Sequence, residues 1–364
     1  MNVLNNMDRE RAVITHSKPH ITAEDRRTVD TVLSSGMIAE GELVEQFERE
    51  VSRYIGLAGG VAASSGTSSL FIALKGLGIG EGDEVILPSY VCRSVWEAVA
   101  AAGAQPVLCD IEEDWCMSID TVRPRVTRRT KAVILVHIFG IVADADEVFS
   151  LGIPVIEDCC QAIGATHGGR MAGTLGQACF LSFHATKLLT TGEGGMVLTN
   201  DTTLLRKMRE LKQGSPNRLT IRYASPMTDI QVALGLSQLA RYAAFLDRRR
   251  TIADYYFSEL DGLSLSLPRH VRNRSIFFRF PVRTKGVFEE LQRMFDREGI
   301  YVRRGVDTLL HRQCSLNPND FPVTERIFSE TLSIPIYPAL SDKDCERIVG
   351  TCHAIFKKAC TGAT

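Results

Sequence analysis

The spacing of apolar side chains changes character along the chain. Residues 21–36 (ITAEDRRTVDTVLSSG) predict a helix, with Thr22 in the capping position, Glu24 and Asp25 in the first turn and Gly36 just past the end. Residues 42–54 (ELVEQFEREVSRY) repeat apolar positions at helical spacing and run into Gly56. From about 60 to 200 the texture becomes short apolar runs: EVILP (84–88), PVLCDI (106–111), AVILVHIF (132–139), PVIED (154–158), CFLSF (179–183) and MVLTN (196–200). Several are apolar almost throughout rather than at every second position, as in strands covered on both faces. Helical stretches at 67–75, 92–102, 118–126 and 142–150 separate them. Alternation of this kind predicts a three-layer α/β/α domain with a mostly parallel central sheet. Residues 227–258 read as one long helix, free of proline and with Gly235 as its only glycine. Beyond it, strands at 275–282 and 332–337 and helices at 287–298 and 342–358 predict a smaller α+β domain. The division we expect is 1–245, an N-terminal arm plus the large domain, and 246–364, the small domain.

Composition narrows the function classes. A chain of 364 residues has room for two domains, and 45% apolar with 23% charged residues suits a packed core. Lys and Arg number 42 against 43 Asp and Glu, a formal net charge of -1. Such a chain has no global attraction for polyanions or anionic lipid, so neither nucleic acid nor membrane is expected as a partner. The ten cysteines are scattered, with no C-x-x-C pair and with Cys159 and Cys160 adjacent. They predict neither a disulfide framework nor a metal site, and the adjacent pair reads as small apolar packing. No apolar run approaches 18 residues, and the first fourteen lack a secretory apolar segment. A cytoplasmic location is the expectation.

Three segments carry candidate chemistry. In ASSGTSSLFIALKG (63–76), Ser65, Gly66 and Thr67 stand where a helix begins. Free N–H groups and the helix dipole favour an anion there, although simple capping needs the same residues. In PVIEDCCQAIGA (154–165), Asp158 closes a buried strand, where open α/β sheets bind ligands, and Gln161 follows three residues later. Asp158 serves equally as a helix cap. In CFLSFHATKLLTTGEGG (179–195) a strand delivers Ser182, His184 and Lys187 into a Thr/Gly hinge before the next strand. A lysine in such a hinge sheds water and becomes a usable amine nucleophile, whereas most lysines are solvated. The glycines of GLGIGEG (76–82) are not a dinucleotide fingerprint, because they follow a helix and precede a strand. Together, a phosphate cradle, a strand-end acid and a hinge lysine are the fixtures of pyridoxal 5′-phosphate (PLP).

The chain resembles the DegT/DnrJ/EryC1/StrS family of sugar aminotransferases, which have PLP fold type I. The matching pieces are SSGTSSL (64–70), GEGDEVILPSY (80–90), GAQPVLCDIE (103–112), TKAVILVHIFG (130–140), IEDCCQAIGA (156–165), LSFHATKLLTTGEGG (181–195) and IQVALGLSQLARYAAFLDRR (230–249). By that resemblance Lys187 holds PLP as a Schiff base and shuttles a proton. Asp158 pairs with the ring nitrogen, Gln161 meets the ring hydroxyl side, and Ser65, Gly66, Thr67 and Ser182 bind the phosphate. The resemblance implies a homodimer with a shared active site, an amino acid donor such as L-glutamate, a keto sugar acceptor linked to a nucleotide, and ping-pong kinetics. Three positions depart from the family. Cys92 stands where an aromatic residue stacks on the cofactor. Ala224-Ser225-Pro226-Met227 replaces the usual Asn-x-Arg-Met, whose Asn reaches the partner's phosphate, with Ser225 or Tyr223 as stand-ins. Met37 replaces a tryptophan. Alternatives are transfer to a ketocyclitol, dehydration (whose relatives carry His in place of the lysine), desulfuration, or PLP binding without catalysis. His184 reads either as a substrate-facing group or as a satisfied strand-end histidine. Arg303 and Arg304 suit a carboxylate or diphosphate, or a solvated face, and Arg248–Arg250 read as the exposed side of a helix.

Overall fold

The computed structural model describes residues 13–215 and 222–357. Its first helix, α1 (Ala23–Ser35), begins on a reciprocal cap. Thr22 Oγ1 accepts from the Asp25 N–H, and Asp25 accepts from the Thr22 N–H at 2.7 Å. Gly36 ends it at φ 72°, as a left-handed C-terminal residue. Helix α2 (Glu42–Ile55) presents Val44, Phe47, Val51 and Ile55 to the interior and stops at Gly56.

The apolar runs become β2 (Glu84–Pro88), β3 (Gln105–Cys109), β4 (Thr130–Val136), β5 (Val155–Asp158), β8 (Ala178–Ser182) and β9 (Gly195–Thr199). With β1 (Gly59–Ala63) they form a seven-stranded sheet in the order β1-β9-β8-β5-β4-β2-β3. Pairings β3–β2–β4–β5–β8 are parallel, and β9 runs antiparallel to both β8 and β1. The sheet carries apolar clusters on both faces, one with Leu70, Ile86, Val99 and Ile134, the other with Phe47, Phe183, Leu198 and Tyr242. Helices α3 (Gly66–Gly76), α4 (Arg93–Ala101), α5 (Ile119–Val122), α6 (Asp146–Phe149), α7 (Thr202–Gln213) and α8 (Asp229–Ala240) surround it. The expected mostly parallel α/β architecture is what the chain adopts. A two-residue hairpin, β6 (Thr166–His167) and β7 (Arg170–Met171), projects beyond β5.

One strand is absent from the sequence expectations, and three of those expectations change. Strand β1, GGVAA, has no run of branched residues, yet its glycines let β9 and α7 pack on it. A Cβ at Gly60 would lie 2.9 Å from Met196 Sδ, and one at Gly59 2.6 Å from Leu205. The predicted long helix is two helices, α8 and α9 (Tyr242–Glu259), broken at Arg241, whose φ/ψ of -110°/8° is not helical. The 142–150 helix shrinks to α6, because the Ala143 N–H donates to His137 Nδ1 instead of entering a helix. The strand expected at 275–282 is only β10 (Phe280–Arg283), since Phe277 turns at φ 53°.

The second sheet pairs β10 antiparallel with β11 (Thr331–Ile334). Around it lie α9, α10 (Phe288–Arg297) and α13 (Asp342–Phe356), with a third core that includes Phe257, Phe280, Phe295 and Ile348. Ile14 of the N-terminal arm joins that core, while Phe321 and Phe328, flanking or within α12 (Pro322–Glu330), join the first one, next to the short α11 (Leu310–Gln313). No helix among the described residues is long and apolar enough to cross a membrane.

Candidate active site

The carboxyl ends of β5 and β8, the loops after β2 and β8, and the start of α3 open into one cavity of about 330 Å³. Ser65, Gly66, Thr67, Cys92, Asp158, Gln161, Ser182 and Lys187 all line it. Residues more than a hundred positions apart therefore meet because parallel strands point their carboxyl ends the same way.

Ser65 caps α3 by accepting from the Ser68 N–H at 3.1 Å. The N–H groups of Gly66 and Thr67 find no acceptor among the described residues and face the cavity end of the helix. Two glycines keep this end open. A Cβ on Gly66 would sit 2.9 Å from Ser182 Cβ, and one on Gly195 would strike the Ser65 carbonyl and lie 2.6 Å from Gly66 N. From behind, Ser225 Oγ meets Ser64 Oγ at 2.7 Å and the Ser225 carbonyl accepts from the Ser64 N–H. Tyr223 packs its ring edge-on against Phe71. Both suggested stand-ins thus engage their own subunit.

Asp158 is buried, paired in register with Val136 on one side and Phe180 on the other. Its Oδ1 accepts from the Cys160 N–H at 3.0 Å, and no cation lies within ion-pair distance among the described residues. Burial pushes its carboxyl up, against the pull of Cys160 and of Lys187. Beneath it, Glu157 is fully buried but richly bonded. It accepts from His137 Nε2 (2.9 Å) and from the N–H groups of Gly173 (2.8 Å), Leu175 (2.7 Å) and Gly176 (2.6 Å). Burial alone would raise its carboxyl, but His137 and these N–H donors leave it lowered. His137 Nδ1 accepts from Ala143, so the ring proton sits on Nε2, facing Glu157. Cys159 brings a third ligand-type atom within 4.8 Å of these two. Both Glu157 oxygens are already taken, which makes the cluster a floor for Asp158. The sequence reading missed it, and the apolar context of His137 and Glu157 was its one signal.

Gln161 Oε1 accepts from the Phe139 N–H at 2.7 Å, which turns its amide N–H₂ free for the cavity. Lys187 is half-buried, its N–H bonded to the His184 carbonyl and its Nζ 5.4 Å from the centre of the Phe278 ring. Cys92 is exposed at the start of α4, with Val91 and Val95 as neighbours on the cavity wall. His184 is exposed and also lines the cavity, which favours the substrate-facing reading. Its Nδ1 meets Thr186 at 2.9 Å and its Nε2 lies 3.5 Å from Glu193, both cavity residues that sequence reasoning did not single out. Cys159 packs as expected, while Cys160 reaches the cavity. Arg304 is held by Glu289 and by the Phe288 and Phe328 rings, and Arg303 is exposed.

The model of the DegT/DnrJ/EryC1/StrS aminotransferase family matches residues 19–353. The chain is 34% identical to the spore coat polysaccharide biosynthesis protein SpsC of Bacillus subtilis (strain 168), over 95% of this chain and 98% of that one. It is 33% identical to dTDP-3-amino-3,4,6-trideoxy-alpha-D-glucose transaminase of Micromonospora megalomicea subsp. nigra, over 88% and 91%. Among solved structures, the aminotransferase TlmJ from Streptoalloteichus hindustanus superposes with a TM-score of 0.89 at 30% identity, over 94% of this chain and 98% of that one.

Proposed function

The chain belongs to the DegT/DnrJ/EryC1/StrS aminotransferase family of PLP-dependent transaminases, and from that premise we propose that it moves an amino group from L-glutamate to a nucleotide-linked keto sugar in two half-reactions. The coarser statement, a sugar aminotransferase, rests on the named relatives. The observation that carries the finer one is the convergence of Lys187, Asp158 and the open start of α3 on one cavity.

The residues present suit PLP. Two N–H groups at a helix start, without acceptors among the described residues, suit a phosphate. A buried carboxylate with no ion-paired cation among the described residues suits a protonated ring nitrogen. An amine on the facing loop suits an aldehyde. When bound, PLP supplies an electron sink for negative charge at the carbon beside the amine nitrogen. Gly66, Thr67, Ser65 and Ser182 would bind the phosphate, Asp158 would hold the ring-nitrogen proton, and the Gln161 amide would orient the hydroxyl side. Cys92 would line the ring face with a small thiol instead of an aromatic ring. Lys187 Nζ would hold the cofactor and, once displaced by the donor, take the proton from the donor's Cα.

Absorption spectroscopy tests this. The purified protein is expected to show the visible band of lysine-held PLP, to lose it on adding L-glutamate, and to regain it on adding a dTDP- or GDP-linked keto sugar. A band indifferent to amino donors, or one restored by a ketocyclitol and not by any keto sugar, would sink the reading. We also propose a cytoplasmic homodimer. Exposed apolar residues on and beside α1 support it, including Leu33, Ile38 and Met37 (74% exposed), next to a groove that Leu33 shares with Leu234 of α8. Light scattering at the 40.2 kDa of one chain would overturn it.

A further inference from the structure

Behind the lysine-bearing loop lies a second, much smaller cavity, of about 10 Å³. Thr186 and Lys187 line it as well as the large one, so the Lys187 side chain stands in the wall between the two. Other parts of the chain close it: residues 17–20 of the N-terminal arm, Gln238 of α8, Arg249 of α9, and Tyr337 after β11. Room of this size suits one water molecule.

Two polar atoms at this place lack partners. The arm is anchored here, since the His20 carbonyl accepts from Gln238 Nε2 at 3.1 Å and the His20 ring tilts against Phe245 at 5.7 Å. Yet His20 Nδ1 is buried with no hydrogen-bond partner among the described residues. Arg249 is 3% exposed, and its buried Nε–H is in the same condition. The Arg249 Nη1 serves three backbone carbonyls, none of which offsets the charge. Burial lowers this guanidinium to about 10, with Tyr242 pulling the other way. Leaving either atom unpaired would forfeit a bond that water supplies in the unfolded chain. The wall offers a third partner in Thr190, which is buried. Its Oγ1 donates to the Phe183 carbonyl at 2.9 Å and accepts from the Gly192 N–H at 3.0 Å. That uses its proton and one of its two lone pairs, and leaves the other for a donor.

We infer that this cavity binds one water, which accepts from the Arg249 Nε–H and donates to His20 Nδ1 and Thr190 Oγ1. Three bonds are what a buried water ordinarily makes. The donation also sets His20, with Nδ1 bare and the ring proton on Nε2. The water joins the N-terminal arm, α9 and the loop that carries Lys187, at a point three residues beyond the lysine. It therefore keeps that loop from drawing back from the large cavity, and His20 is a positioning residue for Lys187. The positioning role rests on the reading of Lys187 as the lysine that holds PLP, whereas the water site does not.

A high-resolution crystal structure of the PLP-loaded protein tests the site. One peak is expected within hydrogen-bond distance of His20 Nδ1, Arg249 Nε and Thr190 Oγ1. No peak there overturns the site. So does an anomalous signal at that point after a bromide soak, because a halide has no proton to give His20. Two variants test the role, both at a half-buried position of the arm. His20→Leu removes the acceptor, whereas His20→Asn keeps one, Oδ1, near the place of Nδ1. In His20→Leu, kcat for amino transfer is expected to fall by about 3- to 10-fold with little change in the KM for L-glutamate. The circular dichroism of the visible band, which reports how rigidly Lys187 holds the cofactor, should weaken with it. Both should recover in His20→Asn. Values equal to the parent's in His20→Leu, or no recovery in His20→Asn, overturn the positioning role. The parent's spectrum keeps the two readings apart. Without a visible band the reading of Lys187 falls together with the positioning role, and the water site stands or falls on the map alone.

Discussion

Glu157 and Asp158 are neighbours on one strand, both buried, with opposite electrostatics, and each predicts a different pH behaviour. Glu157 is lowered from 4.5 in the folded protein because four donors meet it. Its contribution is present above 4.5 and is lost as pH falls through its lowered folded value. Glu157→Gln should therefore flatten the acid limb of a stability-against-pH curve. It should also cost about 1–3 kcal/mol at neutral pH, because the amide N–H₂ faces N–H donors. An unaltered acid limb would contradict this. Asp158 is raised from 3.8, so its contribution is favourable only at low pH and is lost as pH rises through its folded value. At pH 7 it is a cost, carried for the ligand. Asp158→Asn is expected to raise the melting temperature of the PLP-free protein while weakening PLP binding and lowering turnover by about 100-fold or more. A variant that melts lower and still binds PLP normally would refute the assignment. Lys187→Ala should abolish the visible band and lower turnover by at least about 100- to 10,000-fold, read by spectroscopy and by amino transfer. These side chains were legible in the sequence because polar residues at the ends of apolar runs stand out. Glu157 was not, since its meaning depends on N–H groups of a loop near 173–176 that no local pattern ties to it.

Among the elements, α3 shows how a site is held open by residues outside it. Its first N–H groups face the cavity because β9 runs close behind, and Gly195 permits that approach. Gly195→Ala must push the Ser65–Gly66 backbone aside. The expected result is a loss of about 1–3 kcal/mol in stability and a weaker hold on PLP phosphate, read as a higher PLP dissociation constant by titration into the apoprotein. Normal PLP affinity would show that the cradle tolerates displacement. Elements with strong local signals were readable. Helix α1 carries a cap, α1 and α2 both end at glycines, and β2 falls on EVILP, as the pattern indicates. Strand β1 was not readable, because small residues become a strand only when a neighbour packs on them. The break between α8 and α9 was hidden too, since no glycine or proline marks Arg241. Its guanidinium turns to Asp25 of α1 at 2.6 Å, a long-range pairing that a local reading cannot see.

At the scale of the molecule, α9 belongs to two cores at once. Tyr242, Phe245 and Leu246 pack against the seven-stranded sheet, whereas Ile252, Ala253, Tyr256 and Phe257 pack around the small one. Arg249 lies between these groups, buried, where the sequence reading placed an exposed face. Its spacing from Phe245, Ile252 and Tyr256 puts it on the buried stripe of the helix, a signal outweighed by its charged neighbours Arg248 and Arg250. Arg249 Nη1 donates to the carbonyls of Phe277 (2.8 Å), Phe278 (3.0 Å) and Ile336 (2.9 Å), with no carboxylate partner among the described residues. Phe278 belongs to the core of the large sheet and Phe277 and Ile336 to that of the small one, so one guanidinium ties the two together. Phe278 also lies against Lys187. Arg249→Met keeps much of the volume but removes the donors, stranding three buried carbonyls. The expected cost is about 2 kcal/mol or more. Its form matters more than its size. Calorimetry should resolve the single melting transition expected of the parent protein into two, because the cores would no longer share a polar tie, and the Lys187 environment should loosen with it. If Arg249→Met melts as one transition with a loss within about 0.5 kcal/mol, the coupling between the cores resides in the apolar length of α9 and not in its buried charge.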